Sequence, residues 1–149
     1  HRTRVEKFIA GSQEQGARLV TGGSRPAQFD TGWFVEPTLF ADVDPASTLG
    51  QEEVFGPVLA MMPYDTIEEA IAIANSTKYG LAGTIWTADE ARGQDIARQI
   101  QSGTVGVNYY MLDPVAPFGG IKASGLGREF GPEGLASCQQ LQTIYLATT

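Results

Sequence analysis

The sequence holds one cysteine, Cys138, and one histidine, His1. A single thiol excludes an internal disulfide and suits a reducing compartment, most simply the cytoplasm. No His/Cys/Asp spacing suggests a metal centre. Positive charge is also scarce: 10 Lys and Arg stand against 17 Asp and Glu, for a net charge of −7. The basic residues form no run, which argues against a nucleic-acid partner and against an anionic membrane surface. No apolar stretch approaches the roughly 18 residues of a membrane span, and no leader pattern opens the sequence.

What is present reads as a folded domain. The 149 residues are 42% hydrophobic and 18% charged, enough to bury a single core. Eighteen glycines exceed the usual share, and they cluster between Gly103 and Gly134. The chain opens on His1, not Met, and residues 2–10 already read as helix interior. A piece of a longer protein is therefore expected.

Periodicity divides the chain. Val5, Phe8, Ile9 and Ser12 recur at helical spacing, predicting an amphipathic helix over residues 2–15 that Gly16 ends. Ala17 to Thr21 reads as a short strand closed by Gly22-Gly23, and residues 33–43 as extended chain interrupted by Pro37. Val58 to Tyr64 is a continuous apolar run, the pattern of a buried parallel strand. Thr66-Ile67-Glu68-Glu69 is a capping box, and Ile67, Ala70, Ile71 and Ala74 line the helix that follows. Gly83 to Thr87 reads as a strand. Thr87-Ala88-Asp89-Glu90 repeats the capping signature before a second helix, which Ser102-Gly103 stops. Thr104 to Val107 is a third strand. This alternation predicts an α/β fold with a parallel sheet covered on both faces. Residues 108–131 are irregular. Pro132 to Gln139 reads as a short helix, and Gln142 to Leu146 as a terminal strand whose unpaired backbone groups invite a partner.

Two stretches invite chemistry. In Gln51-Glu52-Glu53-Val54-Phe55-Gly56-Pro57-Val58, two carboxylates run into an aromatic and a Gly-Pro break. Burying such charges is costly unless a ligand or partner receives them; the bland alternative is a solvated acidic loop. In the glycine-rich segment from Pro117 to Glu129, Lys122 precedes Gly125 and no strand leads in, so it is no Walker loop. Gly125-Leu126-Gly127 misses the dinucleotide fingerprint, because the third glycine falls one residue late, at 131. Lys122 and Arg128 read better as parts of a solvated structural loop. Cys138 lies on an apolar-patterned segment with no basic neighbour to activate it, so it reads as a small buried hydrophobe.

Taken in order, Gln51 to Val58 followed by Pro117-Phe118-Gly119-Gly120-x-Lys122-x-Ser124-Gly125-x-Gly127-Arg128-Glu129 resembles the C-terminal part of the NAD(P)-dependent aldehyde dehydrogenase superfamily. Gly16-Ala17-Arg18-Leu19 with Gly22-Gly23, and then Gly32-Trp33-Phe34-Val35-Glu36-Pro37-Thr38, is similar too. The likeness covers nearly the whole chain. It implies that residues 1–140 are the C-terminal portion of the catalytic domain and residues 141–149 an oligomerisation strand. Members oxidise an aldehyde to an acid through a cysteine thiohemiacetal and thioester, with hydride passing to NAD or NADP. The resemblance places the catalytic Cys and Glu upstream, leaving no catalytic residue here. Glu53 matches the carboxylate that binds the nicotinamide ribose, and Phe55 the aromatic beside the nicotinamide. The loop from Tyr109 to Phe118 matches the lining of the aldehyde entrance, with Met111 and Phe118 as candidate pocket walls or simply loop packing. Gly106 and Asp113 depart from the pattern, where a bulky aromatic and an apolar residue are common, so no particular aldehyde carries over. Asn108 is not the oxyanion-hole Asn, which lies upstream. A homo-oligomer, dimer or tetramer, is implied. From another class, a non-catalytic assembly or binding module derived from this fold remains the alternative.

Overall fold

The computed structural model describes residues 1–147. The chain divides into two compact units, residues 1–77 and from residue 78 onward.

In the first unit, α1 (Arg2–Glu14) buries Val5, Ile9 and Ser12, spaced by four and three residues as the periodicity predicts. Ser12 returns its hydroxyl to the Phe8 carbonyl at 2.6 Å, so the one polar residue on the buried stripe is satisfied. Gly16 follows at φ 89, the left-handed turn that ends a helix without strain on a side chain. Strand β1 (Arg18–Thr21) pairs antiparallel with β2 (Thr38–Ala41) across a bulge, and β2 pairs parallel with β3 (Val58–Ala60). Between β2 and β3, the short α2 (Thr48–Gln51) starts at Ser47, whose hydroxyl accepts from the Gly50 N–H. Its Leu49 joins Val5, Ile9, Phe40, Val43 and Val54 in a single core. After β3, α3 (Ile67–Asn75) is capped by Thr66, whose Oγ1 accepts from the Glu69 N–H at 3.2 Å. Glu69 reaches back to the Asp65 N–H rather than to Thr66 itself.

In the second unit, β4 (Ala82–Ile85) and β5 (Thr104–Val107) form a two-stranded parallel sheet, joined through α4 (Glu90–Ala97). Asp89, not Thr87, caps α4 by accepting from the Arg92 N–H at 3.0 Å. A 3-10 turn (Lys122–Ser124) and α5 (Gly131–Ala136), with Pro132 in its first turn, complete the described elements.

The α/β class holds, while three expectations change. The predicted run of three parallel strands is divided, because β3 hydrogen-bonds to β2 and, among the described residues, β4 pairs only with β5. Apolar content identified each strand, but pairing partners lie far apart in sequence and leave no local signal. Val58 to Tyr64 is not a buried strand throughout: β3 ends at Ala60, and Leu59, Met61 and Tyr64 are exposed. Cys138 is exposed, since α5 ends at Ala136 and buries none of its residues. Gln142 to Leu146 joins no ladder among the described residues, and Leu141, Ile144, Tyr145 and Leu146 stand in solvent. Of the expected oligomerisation strand, residues 148 and 149 lie outside the described residues.

Candidate cofactor site

The Gln51–Val58 loop leaves α2 at Glu52, whose N–H still bonds to the Thr48 carbonyl while its backbone turns extended. Val54 is buried and plugs the loop into the core; Glu52, Glu53 and Phe55 are exposed. The charges are therefore not buried: in this structure the loop is the solvated acidic loop that the sequence left as one of two readings. They are displayed.

Three contacts hold the display in place. The Arg4 guanidinium on α1 donates Nη2 to the Glu53 carbonyl at 2.7 Å and Nη1 to the Val54 carbonyl. His1 donates Nε2 to the Phe55 carbonyl. Gly56 lies flat on α1, where a Cβ would fall 2.6 Å from Cγ2 of Val5, so no larger residue fits without moving the loop. The close approach that Gly56 permits is thus taken by the protein's own helix. Pro57 then returns the chain to the sheet by accepting from the Thr38 N–H at 2.8 Å.

Between these anchors Phe55 takes φ 57 with its side chain 71% exposed. A non-glycine residue in the left-handed region costs about 1 kcal/mol or more and persists where the surroundings over-determine it. Here the strain turns an aromatic ring outward, into a groove of about 540 Å³ lined by Arg2, Val5, Trp33, Phe34 and Pro57. Trp33 is exposed, with the Arg2 guanidinium 4.8 Å over its ring. Beside Arg2, two hydrogen bonds from Arg25 hold the Glu6 carboxyl below its ordinary value and the Arg25 guanidinium above its own. This arrangement offers a groove with a flat apolar face at Phe55 and, two residues earlier on the same loop, the exposed Glu53.

The other expected residues lie in the second unit, at either end of one loop. Met111 is exposed, with its sulfur 3.4 Å from the Tyr109 hydroxyl. Phe118 is half-buried and exchanges both backbone hydrogen bonds with Glu129, at 2.8 and 2.7 Å. Arg128 donates to the Gly120, Gly127 and Leu126 carbonyls and stitches the glycine-rich segment together, which is the structural role the sequence suggested. Sequence reasoning missed Arg4 and Val5. Their contacts span about fifty residues of chain, and nothing near them in sequence marks a partner. Among the described residues, no group of three or more His, Cys, Asp or Glu could hold a metal ion. No helix there is long and apolar enough to cross a membrane.

Comparison with known proteins gives one consistent result. The aldehyde dehydrogenase family model matches residues 1–144. The chain is 51% identical over 147 residues to geranial dehydrogenase from Castellaniella defragrans, covering 98% of this chain and 30% of that enzyme. It superposes with a TM-score of 0.91 on a Mycobacterium tuberculosis aldehyde dehydrogenase complexed with NAD+, at 56% identity, covering 98% of this chain and 31% of the other. A mutant of aldehyde dehydrogenase C from Pseudomonas syringae, complexed with NAD+ and octanal, matches with a TM-score of 0.86 and 43% identity over 89% of this chain and 28% of its own. The chain thus spans about 30% of the length of the relatives it matches. With the family model covering nearly every residue and the fold agreeing throughout, the chain belongs to the aldehyde dehydrogenase family.

Proposed function

We propose that this chain is the C-terminal part of a cytoplasmic NAD(P)-dependent aldehyde dehydrogenase, and that it supplies the grip on the nicotinamide riboside and part of the aldehyde passage. The observation that carries the proposal is Phe55: a strained, solvent-facing ring two residues after Glu53, whose backbone carbonyl Arg4 holds. NAD bound to related proteins supports the reading.

Within it, each residue has a physical task. Glu53 accepts hydrogen bonds from the two ribose hydroxyls, which fixes the sugar and the ring attached to it. Phe55 flanks the nicotinamide and keeps water from that side. Arg4 holds the Glu53 carbonyl, so the carboxylate is aimed by a backbone that cannot drift. A nicotinamide cofactor held here by Glu53 and Phe55 would supply the hydride acceptor for aldehyde oxidation. Met111 and Phe118 stand in the loop that lines the approach of the aldehyde. The thiol that attacks the aldehyde is read as supplied outside these residues, because the neighbour that Cys138 meets is the Ser137 hydroxyl at 3.8 Å, which is not a base that could activate it.

The proposal predicts that the full-length enzyme produces NADH or NADPH from an aldehyde, and that Cys138→Ser leaves the rate within about twofold, as for a surface substitution away from the chemistry. Absorbance at the reduced nicotinamide band measures both. Loss of turnover on removing this thiol would make Cys138 the nucleophile and overturn the assignment.

Assembly forms the other half of the reading. Ile144 and Leu146 alternate with Tyr145 in an exposed tail that joins no ladder among the described residues, and such a segment gains both hydrogen bonds and apolar burial by pairing with another subunit. Deleting residues 141–149 from the full-length enzyme is expected to lower its mass in solution, read by light scattering. An unchanged mass would remove the tail from the interface.

A further inference from the structure

Gly106 is the third residue of β5, and its missing side chain is replaced by backbone. An ideal Cβ at this position would fall 1.9 Å from the Tyr109 carbonyl oxygen and 3.4 Å from Cβ of Tyr110. Gly106 does not have positive φ, so the backbone conformation itself would admit alanine. What excludes alanine is space: the chain reverses after Val107 and lies back down on the strand it has just left.

The reversal is fixed at its base. Asn108 takes φ 55 and clamps the residue beyond β4 with both ends of its amide, accepting from the Thr87 N–H at 2.8 Å and donating to the Thr87 carbonyl at 2.7 Å. Its own N–H continues the ladder to the Ile85 carbonyl at 2.8 Å. With the end of β5 pinned in this way, a side chain at 106 could be accommodated only by moving residues 109–111. Those residues lean on β5 from one side and are open on the other, where Tyr109 and Met111 are exposed.

We infer that Gly106 is a positioning residue that sets substrate size. By letting the backbone of residues 109–111 lie against β5, it draws one wall of the aldehyde passage back and leaves room for long-chain aldehydes. The inference rests on the proposed reading of the Tyr109–Phe118 loop as the passage lining. Gly83 in β4 provides a control on the same sheet, because a Cβ there would meet only Cγ2 of Ile100, at 4.0 Å.

The test compares the full-length enzyme with its Gly106→Ala and Gly83→Ala variants, using propanal and octanal as substrates. Methyl-13C methionine resonances report on the loop, with Met111 identified by Met111→Leu. Gly106→Ala is expected to shift the Met111 resonance and to raise KM for octanal about tenfold, the scale of a methylene-sized misfit, while kcat with propanal stays within about twofold. Gly83→Ala should change neither. If Gly106→Ala does not fold, Asn108→Gly releases the same anchor without added bulk and should raise the octanal KM in the same direction. An unmoved Met111 resonance would show that Gly106 does not position the loop. A shifted resonance with unchanged KM values would show that the loop does not set substrate size. Either result overturns the inference. A wild-type enzyme that oxidises no aldehyde contradicts the function proposed above instead, and the Met111 resonance still decides whether Gly106 positions the loop.

Discussion

Glu53→Gln in the full-length enzyme is expected to slow hydride transfer by roughly thirtyfold, a loss of about 2 kcal/mol. The amide keeps the shape of the side chain but loses the charge and one acceptor. A ribose diol presents two donors, and hydrogen bonds to a charged group contribute about 1.5–3 kcal/mol each in mutational series. The loss should appear in the transfer rate more than in cofactor affinity, because contacts elsewhere on the cofactor still hold it. The geometry makes the expectation specific to one of two adjacent carboxylates. Glu53 follows the turn out of α2 and has its carbonyl fixed by Arg4, whereas Glu52 is the residue that caps α2. Glu52→Gln should therefore change hydride transfer by no more than about 0.5 kcal/mol. Single-turnover measurements on the two variants decide between them. Equal behaviour would leave Glu53 an ordinary loop carboxylate.

The second large effect concerns what holds that loop. Phe40 is fully buried in β2, at 0% exposure, among Val5, Ile9, Val43, Leu49 and Val54. It joins the three elements that position the site: α1 through Val5 and Ile9, α2 through Leu49, and the loop itself through Val54. Phe40→Ala removes most of a large side chain from a core of few residues, and such truncations cost about 3–5 kcal/mol. That is a large share of the roughly 5–15 kcal/mol that stabilises a typical domain. Phe40→Leu, which keeps most of the volume, should lose clearly less. Urea unfolding followed by far-UV circular dichroism measures both. A loss below about 1 kcal/mol for Phe40→Ala would mean that the first unit is not organised around this residue.

Much of this arrangement is legible in the sequence, and the illegible parts share a cause. The helices could be read because their signals are local. The spacing of Val5, Ile9 and Ser12 marks the buried stripe of α1, and Thr66 with Glu69 marks the start of α3. The second capping signature was read two residues early, since Asp89 competes successfully with Thr87 for the free N–H groups of α4. Strand partners were misread because pairing is a long-range choice: nothing in Val58 to Ala60 tells β2 from β4. Burial was misread where apolar patterning was taken to mean a covered surface. Leu59 and Met61 are apolar and exposed, the pattern expected of surfaces that a longer chain or another subunit covers.

The site shows the same division. Glu53 and Phe55 stand out in their motif, and the structure adds how the loop that carries both is held. Arg4, His1 and Val5 act on the loop from some fifty residues away and give the left-handed Phe55 its reason. Asn108 carries no signal in sequence beyond its place at a strand end; its amide is the clamp from which the second loop begins.

The most direct measurement is a crystal structure of the full-length enzyme with its nicotinamide cofactor bound. The account predicts both Glu53 carboxylate oxygens within about 3.2 Å of the hydroxyls of the nicotinamide ribose, the range of a hydrogen bond, with the Phe55 ring against the nicotinamide. A ribose held by other groups, with Glu53 facing solvent and Phe55 away from the ring, would contradict it.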